Sequence, residues 1–357
     1  MPKKISILLI SILFLLTACT AAPSPGETAP KPTELTVMTH DSFSVSQDII
    51  SAFESANNIK VNFIKGGDAG AALNRLILGS LSGGASAADV FYGLDNTFLS
   101  RALEQNLFEP YPAPALQQIP AEFKLDKANR ALPVDYGDVC INYDKAWFQN
   151  ASLQIPASLS ALTDPRYADL LVVENPSTSS PGLAFLLATI AEFGEDGWLS
   201  WWQALKSNGV AIASDWETAY YTNFSGSSGK GAQPMVVSYA SSPAAEFIYA
   251  ETALSESPTA SLTGSGMCWR QIEFAGILKG TKNRAAAEKF IDFLLSQPFQ
   301  EDVPLQMFVF PVLPGAAIPE AFQKTVESPQ HPASLAPELI SANRDAWIDA
   351  WIKLMLN

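Results

Sequence analysis

The chain has 357 residues, 48% of them hydrophobic and 16% charged, with a formal net charge of −14. That length exceeds what one hydrophobic core comfortably organises, so two lobes are expected, and the apolar content rules out a disordered chain. The acidic balance argues against a nucleic-acid partner; it suits either a cleft that attracts cationic solutes or a surface that merely keeps the protein soluble.

The chain opens with Lys3 and Lys4, an apolar run from Ile5 to Leu16, and then Thr17, Ala18 and Cys19. A basic start with so short an apolar run reads as an export signal over residues 1–18 and not as a membrane span. LTAC, Leu16 to Cys19, resembles a bacterial lipobox, which implies cleavage before Cys19 and a diacylglycerol on its sulfur. The alternative is an ordinary signal in which Cys19 is incidental. Removing the leader takes away two of the 22 basic residues and leaves 20 against 36 acidic ones. Residues 19–33, rich in Pro, Ala, Ser and Thr and without an apolar period, read as a flexible tether.

Glu34 to Thr39 is a short strand, and His40 to Phe43 (HDSF) is the turn after it. Ile49, Ile50 and Phe53 recur at helical spacing, and Ile59 to Ile64 is the next strand. From Lys65 to Gly79 a glycine turn leads into a helix opening near Asp68, with Leu73, Leu76 and Ile77 on its apolar stripe. Ala88 to Gly93 is a third strand, ending in GLDN (Gly93 to Asn96), and another helix follows. Strands alternating with helices imply a mostly parallel, doubly wound sheet, in which ligands sit beyond the strands' C-terminal ends. HDSF, GGDAG and GLDN therefore face one crevice.

Pro133 to Lys145 (PVDYGDVCINYDK) reads as one long strand, with Val134, Tyr136, Val139, Ile141 and Tyr143 as its β-rich residues and Gly137 marking a close backbone approach or a kink. Met267 to Leu278 (MCWRQIEFAGIL) is a second strand of the same kind. Two such crossings between lobes make a cleft, a favoured place for ligands. Cys140 and Cys268 sit one on each crossing strand; an oxidising compartment allows a disulfide there if the strands are neighbours, and two buried thiols are the alternative. The expected division is 34–134 with 269–311 in lobe 1, and 135–268 with 312–357 in lobe 2.

The second lobe repeats the pattern. Leu170 to Glu174 is a strand followed by the loop NPSTSSPGL and a helix from Leu183 to Phe193, with Pro181 near its start. Val210 to Ser214 is another strand, and SDWETAYY enters a helix through a capping Ser or Asp. Met235 to Tyr239 leads into SYASSPA, a strand followed by hydroxyls and a proline that opens a helix. Ala285 to Leu295 and Pro337 to Leu356 are amphipathic helices.

The turns HDSF, GLDN, DYG, STSSPGL, DWETAY and SYASSPA, then FPV (Phe310 to Val312) and RDAWIDAW (Arg344 to Trp351), resemble in the same order the thiamine-binding subunits of bacterial ABC importers. The resemblance implies an α/β, periplasmic-binding-protein-like fold of two lobes with a cleft between them, joined by two hinge strands. It also implies an exported, lipid-anchored monomer that hands thiamine or a thiamine phosphate to a membrane permease and its ATPase. No cofactor, metal, nucleic acid or chemical turnover is expected.

Thiamine carries a cationic thiazolium, a flat aminopyrimidine and a hydroxyethyl arm, so its site needs aromatic faces, carboxylates and helix-start amides or hydroxyls. Trp216 and Tyr239 match the family's pocket aromatics, and Tyr220 and Phe308 are grouped with them. Ser179 and Ser180, with Asp68, Ala69 and Gly70, match the lining around the hydroxyl or phosphate end. His40, Asp41 and Asp95 complete the expected set. Ordinary core packing is the alternative for Trp216 and Tyr239, and capping or a hinge turn for Asp95 and Asp135. The sequence departs from the family's best-known members, which carry Tyr at His40, a further Trp after that turn, Tyr at Ala245 and Trp at Phe308.

Two other classes are weaker. Tyr220 and Tyr221 resemble the paired tyrosines of ferric-ion-binding proteins, with His40 as a further donor, but the flanking DWETAY fits thiamine binders better. An enzyme lacks support: the only histidines are His40 and His331, and Cys140 and Cys268 stand in no nucleophile or redox motif.

Overall fold

The computed structural model describes residues 31–81 and 87–357. The expected signal, the expected lipidation site Cys19 and the expected tether up to residue 30 lie outside the described residues. Thr33, expected to belong to the tether, is already paired with Ile59.

Among the described residues, eleven strands make one sheet. In chain order they are β1 (Thr33–Thr39), β2 (Ile59–Lys65), β3 (Val90–Asp95), β4 (Phe108–Glu109), β5 (Leu132–Asp144), β6 (Leu171–Glu174), β7 (Ala211–Ala213), β8 (Met235–Tyr239), β9 (Thr259–Leu262), β10 (Trp269–Leu278) and β11 (Phe310–Pro311). The order across the sheet is β2-β1-β3-β10-β5-β8-β6-β7, with β4 on β10 and β9 and β11 on β5. β1 is parallel to β2 and β3, and β6 is parallel to β7 and β8. The sheet is thus parallel only within two wings. Between them β10 runs antiparallel to both β3 and β5, and β5 antiparallel to β8.

The two long strands are the expected crossings. Each is longer than any single neighbour needs, so each is shared: β5 pairs with β10 from Leu132 to Val139 and with β8 from Val139 to Tyr143. Their apolar residues are buried on both faces, which is why the run reads as nearly continuous hydrophobics rather than alternation. Cys140 and Cys268 are joined by a disulfide, with their Cα atoms 4.3 Å apart. Beside it, Arg270 grips Asp138 through two bonds of 2.6 and 3.0 Å and lies 4.9 Å over the Tyr136 ring.

Two of the elements that extend beyond their sequence-based bounds bear on the site and its support. β3 continues to Asp95, which places that carboxylate on a strand end and not in the turn. The helix expected over Leu183–Phe193 spans Ser180–Ser207, interrupted at Gly194, where φ is +69°. Its second half buries Trp198, Trp201, Trp202 and Leu205, an i, i+3, i+4, i+7 stripe, and Trp202 meets Trp351 of the helix Pro337–Met355 edge-on at 5.5 Å. A small separate core of Val172, Ala213, Ala219, Tyr220, Phe224 and Val236 lies against Trp216.

Candidate ligand-binding site

The C-terminal ends of both wings converge on the crossing strands, where they enclose a chamber of about 150 Å³. His40 enters it from the turn after β1 and Asp68 from the loop before the helix Ala69–Leu81. Trp216 enters from the turn after β7, and Tyr239 from the last residue of β8. Ser180 comes from the first turn of the long helix and Phe308 from the segment before β11.

The aromatic wall is fixed by its own hydrogen bonds. Trp216 stacks on Tyr220 with centroids 5.0 Å apart and planes 18° from parallel. Its indole N–H donates to Ser238 Oγ at 2.9 Å, and the Tyr220 hydroxyl donates to Glu246 at 3.0 Å. Asp215 accepts the Thr218 backbone N–H at 2.8 Å, the capping role expected of it, and the chain then winds as a π-helical turn over Thr218–Asn223 that presents Tyr220 and Tyr221 together. The Tyr239 hydroxyl donates to Gln271 at 2.9 Å, and Gln271 in turn donates to Ser180 at 2.8 Å. Phe308 sits at φ +55°, a left-handed conformation that bulky residues avoid, and its carbonyl accepts the Ser241 hydroxyl.

The opposite wall is acidic. Asp68 accepts the Ala69 N–H at 2.7 Å and the Trp216 backbone N–H at 3.1 Å, so one carboxylate spans the two wings; burial pushes its pKa up. A second seam lies close by, where the Ala71 N–H donates to the Thr178 carbonyl at 3.1 Å. Glu273, from β10, stands 3.6 Å from His40 Nε2. The Tyr92 hydroxyl donates to Asp135 and lies 3.4 Å from Glu273, its strand neighbour. Burial and the Glu273 charge push Asp135 well above the usual carboxylate range, whereas His40 holds Glu273 below it against the effect of its own burial. Asp95 is raised by burial to about 7. Glu217 also lines the chamber, and among the described residues no Lys or Arg does.

Seven of the residues singled out from sequence thus meet in one place: His40, Asp68, Ser180, Trp216, Tyr220, Tyr239 and Phe308. The others stand behind it. Asp41 lines a small adjoining recess with Asp215 and Glu217 and accepts the Gly67 N–H at 2.9 Å. Ala69 and Gly70 are buried in their helix's first turn, Ser179 caps the long helix, and Asp95 accepts the Thr97 hydroxyl at 2.8 Å. Sequence reasoning passed over Glu273, Glu217, Ser242, Gln306 and Met307. For Glu273 a signal exists, an acid inside the apolar run Ile272–Leu278.

Paired crossing strands, two wings whose strand ends face each other, and a chamber of rings and carboxylates between them define a receptor for a small solute. The chain belongs to the bacterial extracellular solute-binding proteins, whose family profile matches residues 85–334. It is similar to the thiamine-binding periplasmic protein of Salmonella typhimurium, 31% identical over 89% of this chain and 92% of that one. Among solved structures it resembles a periplasmic thiamin binding protein with a TM-score of 0.79, 28% identity and coverage of 92% and 98%. An iron-bound protein, HitA of Pseudomonas aeruginosa, shares the fold with a TM-score of 0.71, 20% identity and coverage of 90% and 99%.

Proposed function

We propose that this protein captures thiamine or a thiamine phosphate outside the cytoplasm and passes it, without chemical turnover, to an ABC permease and its ATPase. The observation that carries this reading is the pairing of a stacked Trp216–Tyr220 face with three carboxylates, Asp68, Glu217 and Glu273, in a chamber lined by no Lys or Arg among the described residues. A flat, singly cationic ligand gains ring contact and charge neutralisation there at once. Ser180, in the first turn of the long helix, offers a hydroxyl beside helix-start amides for the hydroxyethyl or phosphate end. Similarity to curated thiamine-binding proteins over most of both chains supports the same assignment.

A chamber of about 150 Å³ is below the roughly 300–1,000 Å³ typical of small-molecule sites. The ligand therefore enters after the Asp68–Trp216 and Ala71–Thr178 seams part, with residues 34–134 and 269–311 rotating against 135–268 and 312–357 about β5 and β10. The protein is a monomer held at the membrane through Cys19 and uses no cofactor. Calorimetry with thiamine, its monophosphate and its diphosphate tests the assignment, together with the mass of any copurifying ligand. Binding of at least one of the three supports it. A copurifying sugar or peptide, or a tyrosinate–iron charge-transfer band, overturns it. Scattering with and without ligand tests the rotation: the radius of gyration should fall on binding.

A further inference from the structure

We propose that His40 is a selectivity residue that exchanges a proton for a cationic ligand: its imidazolium neutralises Glu273 in the empty chamber and gives up that proton when the ligand's charge arrives. The inference rests on the cationic ligand proposed above and adds to it a coupling to pH.

Geometry carries it. His40 Nε2 lies 3.6 Å from Glu273 Oε2, is buried, and has no hydrogen-bond partner. The ring is held in place: a Cβ on Gly93, where φ is +99°, would come 2.3 Å from His40 Cδ2, and the Tyr92 ring centroid is 5.8 Å away. The titratable groups lining the chamber and the recess around His40 are acidic or phenolic; Lys65 lies outside both, on the Asp41 carbonyl. Glu273 faces it from β10, Tyr92 from β3, Asp68 from the loop after β2 and Asp41 from its own turn, while Asp215 and Glu217 join them around the adjoining recess. Burial alone lowers the imidazole's pKa, but the Glu273 carboxylate, with Asp68 and Asp41 behind it, outweighs burial and raises it above 6.5. His40 is thus the one group lining the chamber, among the described residues, that supplies a removable positive charge.

A ligand cation drawn to Glu273, Asp68 and Glu217 competes with that charge. On binding, the Nε2–H bond breaks, the proton passes to solvent, and the imidazole keeps the electron pair; one charge enters as one leaves. Affinity for a cation therefore rises with pH through the His40 titration, by up to about tenfold per pH unit between its ligand-bound and ligand-free pKa values. A merely structural His40–Glu273 pair would keep its proton in both states. Asp95, raised to about 7, titrates in the same range, so the overall pH dependence of binding does not isolate His40. Its own ring must be read.

The chain has two histidines, and His331 is exposed, so a His331→Gln variant assigns the ring resonances by NMR. The His40 ring should titrate above 6.5 in the free protein and at least about one unit lower with saturating thiamine. Calorimetry in buffers of different ionisation heat should show a proton released on binding at pH values between the bound-state and free-state His40 midpoints. His40→Gln should release about one proton fewer, and Asp95→Asn should leave the shift of the His40 ring intact. Identical His40 midpoints in the free and bound protein overturn the proposal, as does undiminished proton release from His40→Gln. Absence of thiamine binding at every pH instead overturns the ligand assignment. In that case a free-state His40 midpoint at or below 6.5 removes the pairing too, and one above it upholds the pairing.

Discussion

Gly137 lies against the Tyr239 ring: a Cβ placed there would come within 2.8 Å of ring Cδ1. The side chain missing from β5 is what lets the ring at the end of β8 lie down over the sheet and reach Gln271. Gly137→Ala should force Tyr239 aside, break the 2.9 Å bond to Gln271, and weaken thiamine binding by about tenfold, in keeping with an overpacking cost of about 1–3 kcal/mol. Calorimetry on a variant with unchanged circular dichroism checks this. Undiminished affinity would mean the ring's position is immaterial.

Trp216 should be the largest single contributor to affinity. Trp216→Ala removes the face stacked on Tyr220 and its bond to Ser238, and should cost about 1–3 kcal/mol, or roughly ten- to more than a hundredfold in Kd. Calorimetry beside Leu78→Ala, a change at a residue 68% exposed, sets the baseline, and an affinity loss no larger than that baseline would remove Trp216 from the site.

Glu174 makes stability depend on pH. It is 1% exposed, neither side-chain oxygen has a partner, and burial, then the charges of Asp68 and Asp215, push its pKa well above 4.5. A raised folded-state pKa gives a contribution that is complete below the unfolded value and is lost as pH climbs toward the folded one. Glu174→Gln keeps the shape without the ionisation. The drop in Tm between about pH 5 and about pH 8 should be smaller in this variant than in the wild type; an equal or larger drop would place the pH dependence elsewhere.

Asp138 is 2% exposed and depends on Arg270, which also covers the Tyr136 ring. Arg270→Gln leaves a buried carboxylate without its cation and should lower stability by about 1–3 kcal/mol, read from the urea midpoint. Asp138→Asn combined with Arg270→Gln should recover part of that loss, because no uncompensated charge remains.

Much of this is legible in the sequence. The crossing strands announce themselves because a strand buried on both faces writes an apolar run too long for a single wing, and a cysteine on each fits a link between neighbours. Trp216 and Tyr239 are legible through the family motifs DWETAY and SYASSPA; their residue types alone fit ordinary core packing as well. Glu273 is legible only as an acid misplaced in an apolar run; its pairing with His40 is not, because that depends on which strand faces His40, a matter of register across residues far apart in the chain. Asp95 was placed in a turn because glycine at 93 reads as punctuation, whereas that glycine makes room for His40 within a strand that continues. The second half of the long helix was missed because Gly194 reads as an end, although Trp198, Trp201, Trp202 and Leu205 keep the helical period beyond it.

The Cys140–Cys268 bond closes a loop spanning 128 residues of sequence. A cytosol that keeps thiols reduced withholds it, and an oxidising space outside the membrane supplies it. By the chain-entropy account, a cross-link over so long a span is worth on the order of 4–5 kcal/mol, a large share of the stability of an ordinary domain. The chain still inside the cell is therefore a looser molecule than the receptor outside. Stability here is conferred on arrival, and a copy retained in the cytosol would stay the more readily unfolded and degraded of the two.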